Sequence, residues 1–269
     1  MVNVLMVGLD YAGKTSIRQY LQTFDVNRAL RTETSTSIET FRKSALNIYV
    51  VPGQELLRYE ERIYEILLPI TQKVCFVVDS ADVSRFDKVK KYFEFIRRMM
   101  SKYASSDCEL IVLAHKQDLP NAVDKRKIAE LLDVDETYVL ATSIMDPISM
   151  SQLCLKLIGM NIEVLIPFSR VMKEKEVKAV FFSDKEIPYI LLGDVSLGVI
   201  KLKEAMDLVK KIQSNMIIID RGAIDYYFAR EDFFLGFCEV GEFDCDLVKF
   251  GRKSLETLIP MFKAYVLEQ

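Results

Sequence analysis

A segment near the start of the chain, from Gly8 to Thr15, matches the pattern G-x-x-x-x-G-K-[ST]. Its spacing lets the backbone curl so that successive N–H groups point at a bound phosphate, while Lys14 reaches the phosphate oxygens. The Thr15 hydroxyl is a suitable ligand for Mg²⁺. The apolar residues 2–7 predict a buried strand, and the residues after the segment predict a helix whose N-terminus favours anions. This context predicts a nucleoside triphosphate site.

The predicted phosphate site covers the turn and the start of the helix. The residues assigned to nucleotide binding here are Asp10, Tyr11, Ala12, Gly13, Lys14, Thr15 and Ser16. The alternative interpretation is an ordinary strand-turn-helix corner in which Lys14 is incidental. The strand before and the amphipathic helix after favour the phosphate site, because such loops lie between these two elements.

A second candidate segment, from His115 to Asp118, follows the apolar residues 110–114. It resembles the N-K-x-D loop of guanine-nucleotide-binding proteins of the Ras superfamily. An aspartate accepts hydrogen bonds from guanine N1–H and the N2 amine, which adenine cannot provide, while the Lys116 stem covers the base. Asp118 therefore favours guanine, with a helix or turn cap as its alternative role. His115 replaces the usual asparagine and is assigned to binding rather than proton transfer.

A third polar segment, residues 142–144, stands where the same superfamily has its S-A-[KL] loop. A backbone amide of that loop donates to guanine O6, so Ser143 and Ile144 are assigned to nucleotide binding. Because only a main-chain group is needed, an isoleucine is compatible with the role. The tripeptide alone is equally typical of a polar turn between a strand and a helix. Its position in the chain favours base recognition.

Length and composition predict two domains and a protein that binds other proteins. Half of the 269 residues are apolar, and a net charge of −3 excludes a general nucleic-acid or anionic-membrane surface. The five cysteines show no C-x-x-C spacing and are expected to be reduced, buried thiols of a cytoplasmic protein. No run approaches the roughly 20 apolar residues of a membrane span. Direct membrane insertion is not expected, and any recruitment to a membrane is expected to depend on partners.

Strands and helices alternate in the first part of the chain. This pattern predicts an α/β fold with a mostly parallel sheet, flanking helices, and ligands at the carboxyl ends of the strands. In the last part, strands follow one another in quick succession, which predicts an α+β unit of hairpins and helices. The predicted domains are 1–162 and 163–269. Residues 31–40 are predicted to form a polar loop.

Together with Pro52-Gly53-Gln54, which follows a predicted strand, these motifs resemble the Rag/Gtr branch of small GTPases, a branch related to the Arf proteins. The histidine at position 115 and the segment 142–146 are the features specific to that branch. Residues 163–269 resemble the roadblock (longin-like) domain that Rag/Gtr proteins carry after their P-loop G domain. The V-P-G-Q sequence at 51–54 is similar to that of the bacterial MglA GTPases.

The resemblance assigns GTP hydrolysis to a few residues. It implies that Gln54 orients the attacking water, that the Gly53 amide contacts the γ-phosphate, and that Lys14 neutralises phosphate charge. Catalysis of this kind relies on positioning and charge, so hydrolysis is expected to be slow without a partner protein. Arg31 and Arg58 are candidates for an internal arginine finger. Neither is assigned, because surface arginines more often have no catalytic role.

Mg²⁺ is the metal cofactor that the resemblance implies. Thr15 is one expected ligand, and a threonine of the polar loop is the other, with Thr36 as first choice and Thr34 as second. Val50 stands where small GTPases carry an aspartate that holds Mg²⁺ through water. Nucleotide binding is therefore expected to depend less on Mg²⁺ than it does in Ras-like proteins.

The leading hypothesis is a molecular switch that binds GTP, slowly hydrolyses it to GDP and recruits protein partners according to the nucleotide. The expected partners are GTPase-activating and exchange proteins, and a second chain that pairs through the C-terminal domain in a homo- or heterodimer. The alternative is a guanine-nucleotide-binding scaffold without meaningful hydrolysis, which Val50 suggests. A third hypothesis, an ATPase or small-molecule kinase, is opposed by Asp118.

Overall fold

The structure, a computed structural model, describes residues 1–33, 35–43, 45–185 and 188–266. The chain divides into two compact units, 1–149 and 150–269. The division falls inside the helix Pro147–Ile158, whereas the sequence predicts a domain boundary after residue 162. The difference arises because most of this helix packs with the elements that follow it.

The first unit is built on one sheet. Its strands are β1 (Val2–Gly8), β2 (Glu39–Lys43), β3 (Leu46–Val50), β4 (Lys73–Asp79), β5 (Glu109–His115) and β6 (Val139–Thr142). Its helices are α1 (Lys14–Thr23), α2 (Val26–Leu30), α3 (Glu55–Arg58), α4 (Glu61–Leu67), α5 (Phe86–Tyr103) and α6 (Lys125–Leu132). The strand order is β2-β3-β1-β4-β5-β6, and every neighbouring pair is parallel except β2 with β3. The predicted mixed α/β fold with a mostly parallel sheet is confirmed.

The central strands β1, β4 and β5 are buried along most of their length, as parallel strands covered by helices are. On one face, Leu5, Phe76 and Val112 belong to a single apolar cluster. Tyr92 and Ile96 of α5 join the same cluster because helical periodicity places them on one side. The core therefore holds the strand ends in fixed positions.

Three regions depart from the pattern that the sequence predicts. The predicted polar loop ends in β2, an edge strand in which Phe41 is the buried residue and charged neighbours conceal the strand pattern. The short helix α2 begins after Asp25, whose carboxylate accepts a hydrogen bond from the Arg28 amide. Residues 55–68, whose charged, helix-like sequence predicts a single helical stretch, instead form α3, α4 and the start of a short turn.

The second unit has its own antiparallel sheet. After α7 (Pro147–Ile158), its elements are α8 (Leu165–Glu174), β7 (Ala179–Ser183), β8 (Pro188–Gly193), α9 (Val195–Ile212), β9 (Met216–Asp220), β10 (Ile224–Arg230), β11 (Phe233–Val240) and α10 (Cys245–Val266). The strand order is β8-β7-β11-β10-β9. Paired strands thus alternate with helices.

Helices lie on both faces of this second sheet. On one face, Phe237 of β11 stacks with Phe168 of α8 and contacts Phe250 of α10. On the opposite face, Gly198 of α9 lies so close to Leu191 of β8 that a larger residue would collide with it. The unit therefore has three layers with an apolar core on each side of the sheet.

The two edges of the second sheet differ. At β8, the Ser151 hydroxyl of α7 donates to the Leu191 carbonyl and accepts from the Leu191 amide, both at 3.0 Å. This hydroxyl satisfies backbone groups that an edge strand leaves open. At the other edge, β9 pairs with β10, and no further strand among the described residues pairs with its outer side. Ile218 of β9 is 37% exposed.

Two further expectations concern the burial of the cysteine thiols and the absence of a membrane-spanning helix. All five thiols are free: Cys75, Cys154 and Cys238 are buried, and Cys108 is partly buried. Cys245 is exposed at the start of α10, so the expectation of a buried thiol is wrong at this position. Within the ranges that the structure describes, no helix is both long and apolar enough to cross a membrane.

Replacing Ser151 with alanine should destabilise the second unit. We expect the free energy of unfolding to fall by about 1–3 kcal/mol, because the buried Leu191 amide and carbonyl lose their partner. Urea unfolding followed by circular dichroism measures this change. Ser196→Ala, on the exposed side of α9, is the matched control and should cost less than about 0.5 kcal/mol. Equal losses in the two variants would contradict the role assigned to Ser151.

Candidate functional site

Most of the predicted site residues gather at one edge of the first sheet. The carboxyl ends of the parallel strands meet there, and the turn between β1 and α1 lies beside them. The turn after β3 brings Gly53 to the same edge. A cavity of about 490 Å³ opens at this point. The predicted residues that line it are Asp10, Tyr11, Gly13, Lys14, Thr15, Ser16, Gly53 and Lys116.

The turn between β1 and α1 requires glycine at position 13. Gly13 has a φ of 100°, in the region that side chains disfavour, and any side chain there would collide with the His115 ring. Ala12 is buried beside it, whereas Tyr11 is exposed. The phosphate loop, as we now call residues 8–15, is therefore packed directly on the end of β5.

Lys14 is a buried cation at the base of the phosphate loop. Its Nζ donates to the carbonyls of Gly8 at 2.9 Å and Leu9 at 2.7 Å. Desolvation by burial lowers the pKa of Lys14 to about 7, although the Asp10 carboxylate acts in the opposite direction. A bound anion would favour the charged form, so the ammonium is suited to contact phosphate oxygens.

The phosphate loop is held from two sides through Asp10. The Arg85 guanidinium, which follows β4, forms an ion pair with the Asp10 carboxylate and donates to the Asp10 carbonyl at 2.8 Å. The Asp10 amide donates to the Gly53 carbonyl at 3.2 Å. A side chain at position 53 would overlap this amide, which explains a glycine there. The phosphate loop and the turn after β3 are thus in direct contact.

The segments after β5 and β6 are joined by polar contacts. The Ser143 hydroxyl donates to the Asp118 carboxylate at 2.5 Å, and the Ser143 amide donates to the Ser149 hydroxyl at 3.1 Å. Lys116 Nζ donates to the Asp79 carboxylate at 2.6 Å. The residues predicted to read a purine base are therefore brought together, with Asp118 on the exposed side.

His115 connects this region to the phosphate loop. Its side chain is buried, and its Nδ1 lies 3.0 Å from the Thr142 hydroxyl. Burial, assisted by the Lys116 charge, lowers the pKa of His115 to about 4. The imidazole is therefore neutral at neutral pH, and its contacts with Thr142 and Gly13 are those of a packing and positioning residue.

Several predicted residues lie away from this cluster. Gln54 is exposed and does not line the cavity, and Ile144 is buried in the turn after β6. Thr36 is exposed and lines a neighbouring cavity together with Thr15. Thr34, the second choice for the metal ligand, lies outside the described residues. The roles of these residues stay predictions.

The Thr15 hydroxyl is the protein ligand that this part of the site offers to Mg²⁺. The side chain of Thr15 lines the cavity, whereas Val50 is fully buried and apolar and offers no ligand. The described part of the chain contains no cluster of three or more histidine, cysteine or acidic residues suited to a metal. The Thr15 hydroxyl, phosphate oxygens and water would therefore hold the ion, which agrees with the ligands that Mg²⁺ prefers.

Sequence reasoning missed several residues of the site. Asp79 is the last residue of β4 and Arg85 follows that strand, so the rule that ligands lie at the carboxyl ends of parallel strands could have found both. The predicted base-binding segment begins at Thr142, but only Ser143 and Ile144 of that segment are assigned a role. Four cavity residues belong to the predicted polar loop or lie next to it, where composition gives no signal: Leu30, Thr32, Glu33 and Ser35.

Removing the Lys14 ammonium should change how the stability of the ligand-free protein depends on pH. The pKa of Lys14 is about 7 in the folded chain against an ordinary value of 10.5. Between about pH 7 and about pH 10 the unfolded chain binds more protons, so this group makes stability rise by up to about 1.4 kcal/mol per pH unit. Lys14→Met should lose that contribution. Chemical denaturation over this range measures the two slopes.

Lys91→Met is the matched control, because Lys91 is exposed on α5. Its stability should follow the wild-type pH dependence. A Lys14→Met slope equal to the wild-type slope would contradict the assignment of a desolvated ammonium.

Comparisons with known proteins relate this chain and its site to a protein family. Residues 1–163 match the family model described as the ADP-ribosylation factor (Arf) family. The chain is 33% identical to ADP-ribosylation factor F of Dictyostelium discoideum over 135 residues, which are 50% of this chain and 69% of that protein. The family match contains the phosphate loop, Gly53 and the segment His115–Asp118. The chain therefore belongs to the ADP-ribosylation factor family.

Proposed function

We propose that this chain is a GTP-hydrolysing molecular switch whose second unit pairs with another chain. Membership of the Arf family makes it a GTP-binding small GTPase. The observation that carries the switch proposal is the cavity in which Lys14 and Thr15 face Gly53. Because Gly53 contacts the phosphate loop, the segment around it can change conformation when a γ-phosphate is bound.

Different residues of the chain bind the phosphates and the guanine base. Backbone amides of the phosphate loop and the Lys14 ammonium hold the β- and γ-phosphates, while Asp118 accepts hydrogen bonds from guanine. Mg²⁺, when bound with Thr15 as a ligand, neutralises charge on these phosphates. Gln54 orients the water that attacks the γ-phosphorus. Because Gln54 is exposed, it must move inward before it can do so.

The need for Gln54 to move inward supports slow intrinsic hydrolysis. A catalytic group that is not positioned contributes little, because this reaction depends on geometry and charge rather than on covalent chemistry. An activating protein that orders the segment around Gln54 would raise the rate. Exchange of GDP for GTP by a second regulator completes the proposed cycle.

We further propose that the chain is of the Rag/Gtr type, a branch of small GTPases related to the Arf proteins, with a roadblock-like second unit. The support is the order of elements in that unit: a helix, two paired strands, a helix, three strands and a helix. This is the order that the resemblance to a roadblock domain implies. In the first unit, His115 packed on Gly13 supports the same assignment.

The second unit is proposed to pair with another chain, identical or related. At one edge of its sheet, Ser151 pairs with the backbone of Leu191, whereas no described strand pairs with the outer side of β9. β9 is also apolar, with the sequence Met-Ile-Ile-Ile-Asp from Met216 to Asp220. An open apolar edge strand is a template for pairing with a second sheet.

A guanine-nucleotide-binding scaffold without meaningful hydrolysis is the second candidate. The buried, apolar Val50 favours it, because this position supplies no carboxylate for the Mg²⁺ shell. GTP hydrolysis by the purified protein decides between the two functions.

Single-turnover hydrolysis of γ-labelled GTP tests the proposed switch. We expect slow release of phosphate, and we expect Gln54→Leu to lower the rate tenfold or more because the attacking water loses its orienting group. GDP affinity should change less than about threefold, since Gln54 does not contact GDP. Excess ATP should leave the rate unchanged. No release of phosphate by the wild-type protein would favour the scaffold, and displacement of GTP by ATP would contradict guanine recognition.

Ile218→Glu tests pairing through β9. Sedimentation velocity of the full chain should show a dimer for the wild-type protein and a shift toward monomer for the variant, because a charge would be buried at the new interface. Lys173→Glu, exposed on α8, is the control and should leave the dimer intact. A monomeric wild-type protein at micromolar concentration would count against self-pairing and leave a related chain as the expected partner.

A further inference from the structure

Arg58 is a buried cation to which the preceding assignments give no role. It ends the short helix α3, a few residues after Gly53. Its side chain is only 5% exposed, although arginine is rarely buried unless it is paired. A charge removed from water in this way must have partners, or must acquire one on binding.

The partners of the Arg58 guanidinium are incomplete. Its Nη1 donates to the Gly53 carbonyl at 3.0 Å, and its Nε has no hydrogen-bond partner among the described residues. Its ion-pair partner, Glu55, is 78% exposed and lies 3.8 Å from Nη2. The rings of Tyr59 and Tyr92 lie 5.1 Å and 5.7 Å from the guanidinium carbon. Aromatic faces offset part of the desolvation but supply no hydrogen-bond acceptor in the guanidinium plane.

The same guanidinium stands next to the phosphate loop. The Gly53 carbonyl accepts from both Arg58 and the Asp10 amide, so one oxygen joins the two groups. Arg58 also contributes to the lowered pKa of Lys14, which places two cations in one electrostatic environment. Asp10 is the acidic residue of the loop, and Arg85 already pairs with it.

We propose that Arg58 is a catalytic residue of GTP hydrolysis, supplied by the chain itself, whose guanidinium donates to oxygens of the γ-phosphoryl group. This inference rests on the proposed GTPase function. The γ-phosphate is the acidic group that would stand beside Gly53, and it offers acceptors to Nε and Nη1. Val50 leaves the Mg²⁺ shell without a carboxylate, so the charge pattern around the γ-phosphate differs from that of Ras-like proteins.

The reaction itself needs no further reagent. The water oxygen forms a bond to the γ-phosphorus, the bond from that phosphorus to the β–γ bridging oxygen breaks, and GDP leaves with that electron pair. Both protons of the water stay with the phosphate product as dihydrogen phosphate. Arg58 remains protonated throughout and stabilises negative charge on the γ-phosphoryl oxygens and the bridging oxygen.

Single-turnover hydrolysis with the full chain tests this role. We expect Arg58→Ala to lower the rate tenfold or more while GDP affinity changes less than about threefold, because GDP has no γ-phosphate. A second readout is binding of aluminium fluoride to the GDP-bound protein, followed with a fluorescent GDP. The wild-type protein should form this transition-state complex and Arg58→Ala should not. Arg62→Ala, exposed on α4, should behave as wild type in both assays.

Two further variants separate charge from packing. Arg58→Met keeps an apolar stem beside the tyrosine rings and removes the charge, so it should lose both readouts even if Arg58→Ala fails to fold. Arg58→Lys should retain part of the rate. Hydrolysis by the wild-type protein with an unchanged rate in Arg58→Met would overturn this inference and leave the GTPase proposal standing. No hydrolysis by the wild-type protein would overturn both.

Discussion

Burial of positive charge beside the phosphate loop is the constraint on which the site depends. Lys14 and Arg58 are both buried, and the one acidic side chain of the loop, Asp10, is paired with Arg85. Main-chain carbonyls satisfy the Lys14 ammonium but bring no full negative charge. Glu55, the ion-pair partner of Arg58, is 78% exposed, so the two buried cations remain short of negative charge and a bound anion stabilises the arrangement. The triphosphate of a nucleotide supplies several negative charges within the size of this cavity.

The fold makes this concentration of charge possible. Parallel strands end at one edge, and the apolar cluster below them fixes the ends of β1, β4 and β5 relative to one another. The packing of His115 on Gly13 extends that rigidity to the phosphate loop. The second unit has a different design: at one sheet edge Ser151 bonds to the backbone of Leu191, and at the other no described strand pairs with the outer side of β9. In the proposed function, ligand binding therefore falls to the first unit and chain pairing to the second.

The sequence predicts long, periodic elements well, because their pattern is set by burial alone. The 3.6-residue periodicity of residues 86–103 predicts α5 with the bounds that it has in the structure, and the phosphate loop lies where its motif places it. Short elements escape detection: β2 has a single buried residue and α2 barely more than one turn. Contacts between distant segments escape it as well. Nothing in the local sequence around Arg85 or Arg58 indicates Asp10 or Gly53, because the sheet topology creates those pairings.

Gly53 shows how such pairings constrain a switch. Its carbonyl accepts hydrogen bonds from the Asp10 amide and from Arg58, and its neighbours leave no room for a side chain. If the peptide turns so that the Gly53 amide meets a γ-phosphate, as the proposed function requires, both bonds to its carbonyl must break. Each contributes about 0.5–1.5 kcal/mol, more where the donor is charged. GDP cannot offset that loss, whereas GTP offers γ-oxygens to Gly53 and to the released guanidinium. The difference between the two nucleotides is therefore concentrated at a single peptide group.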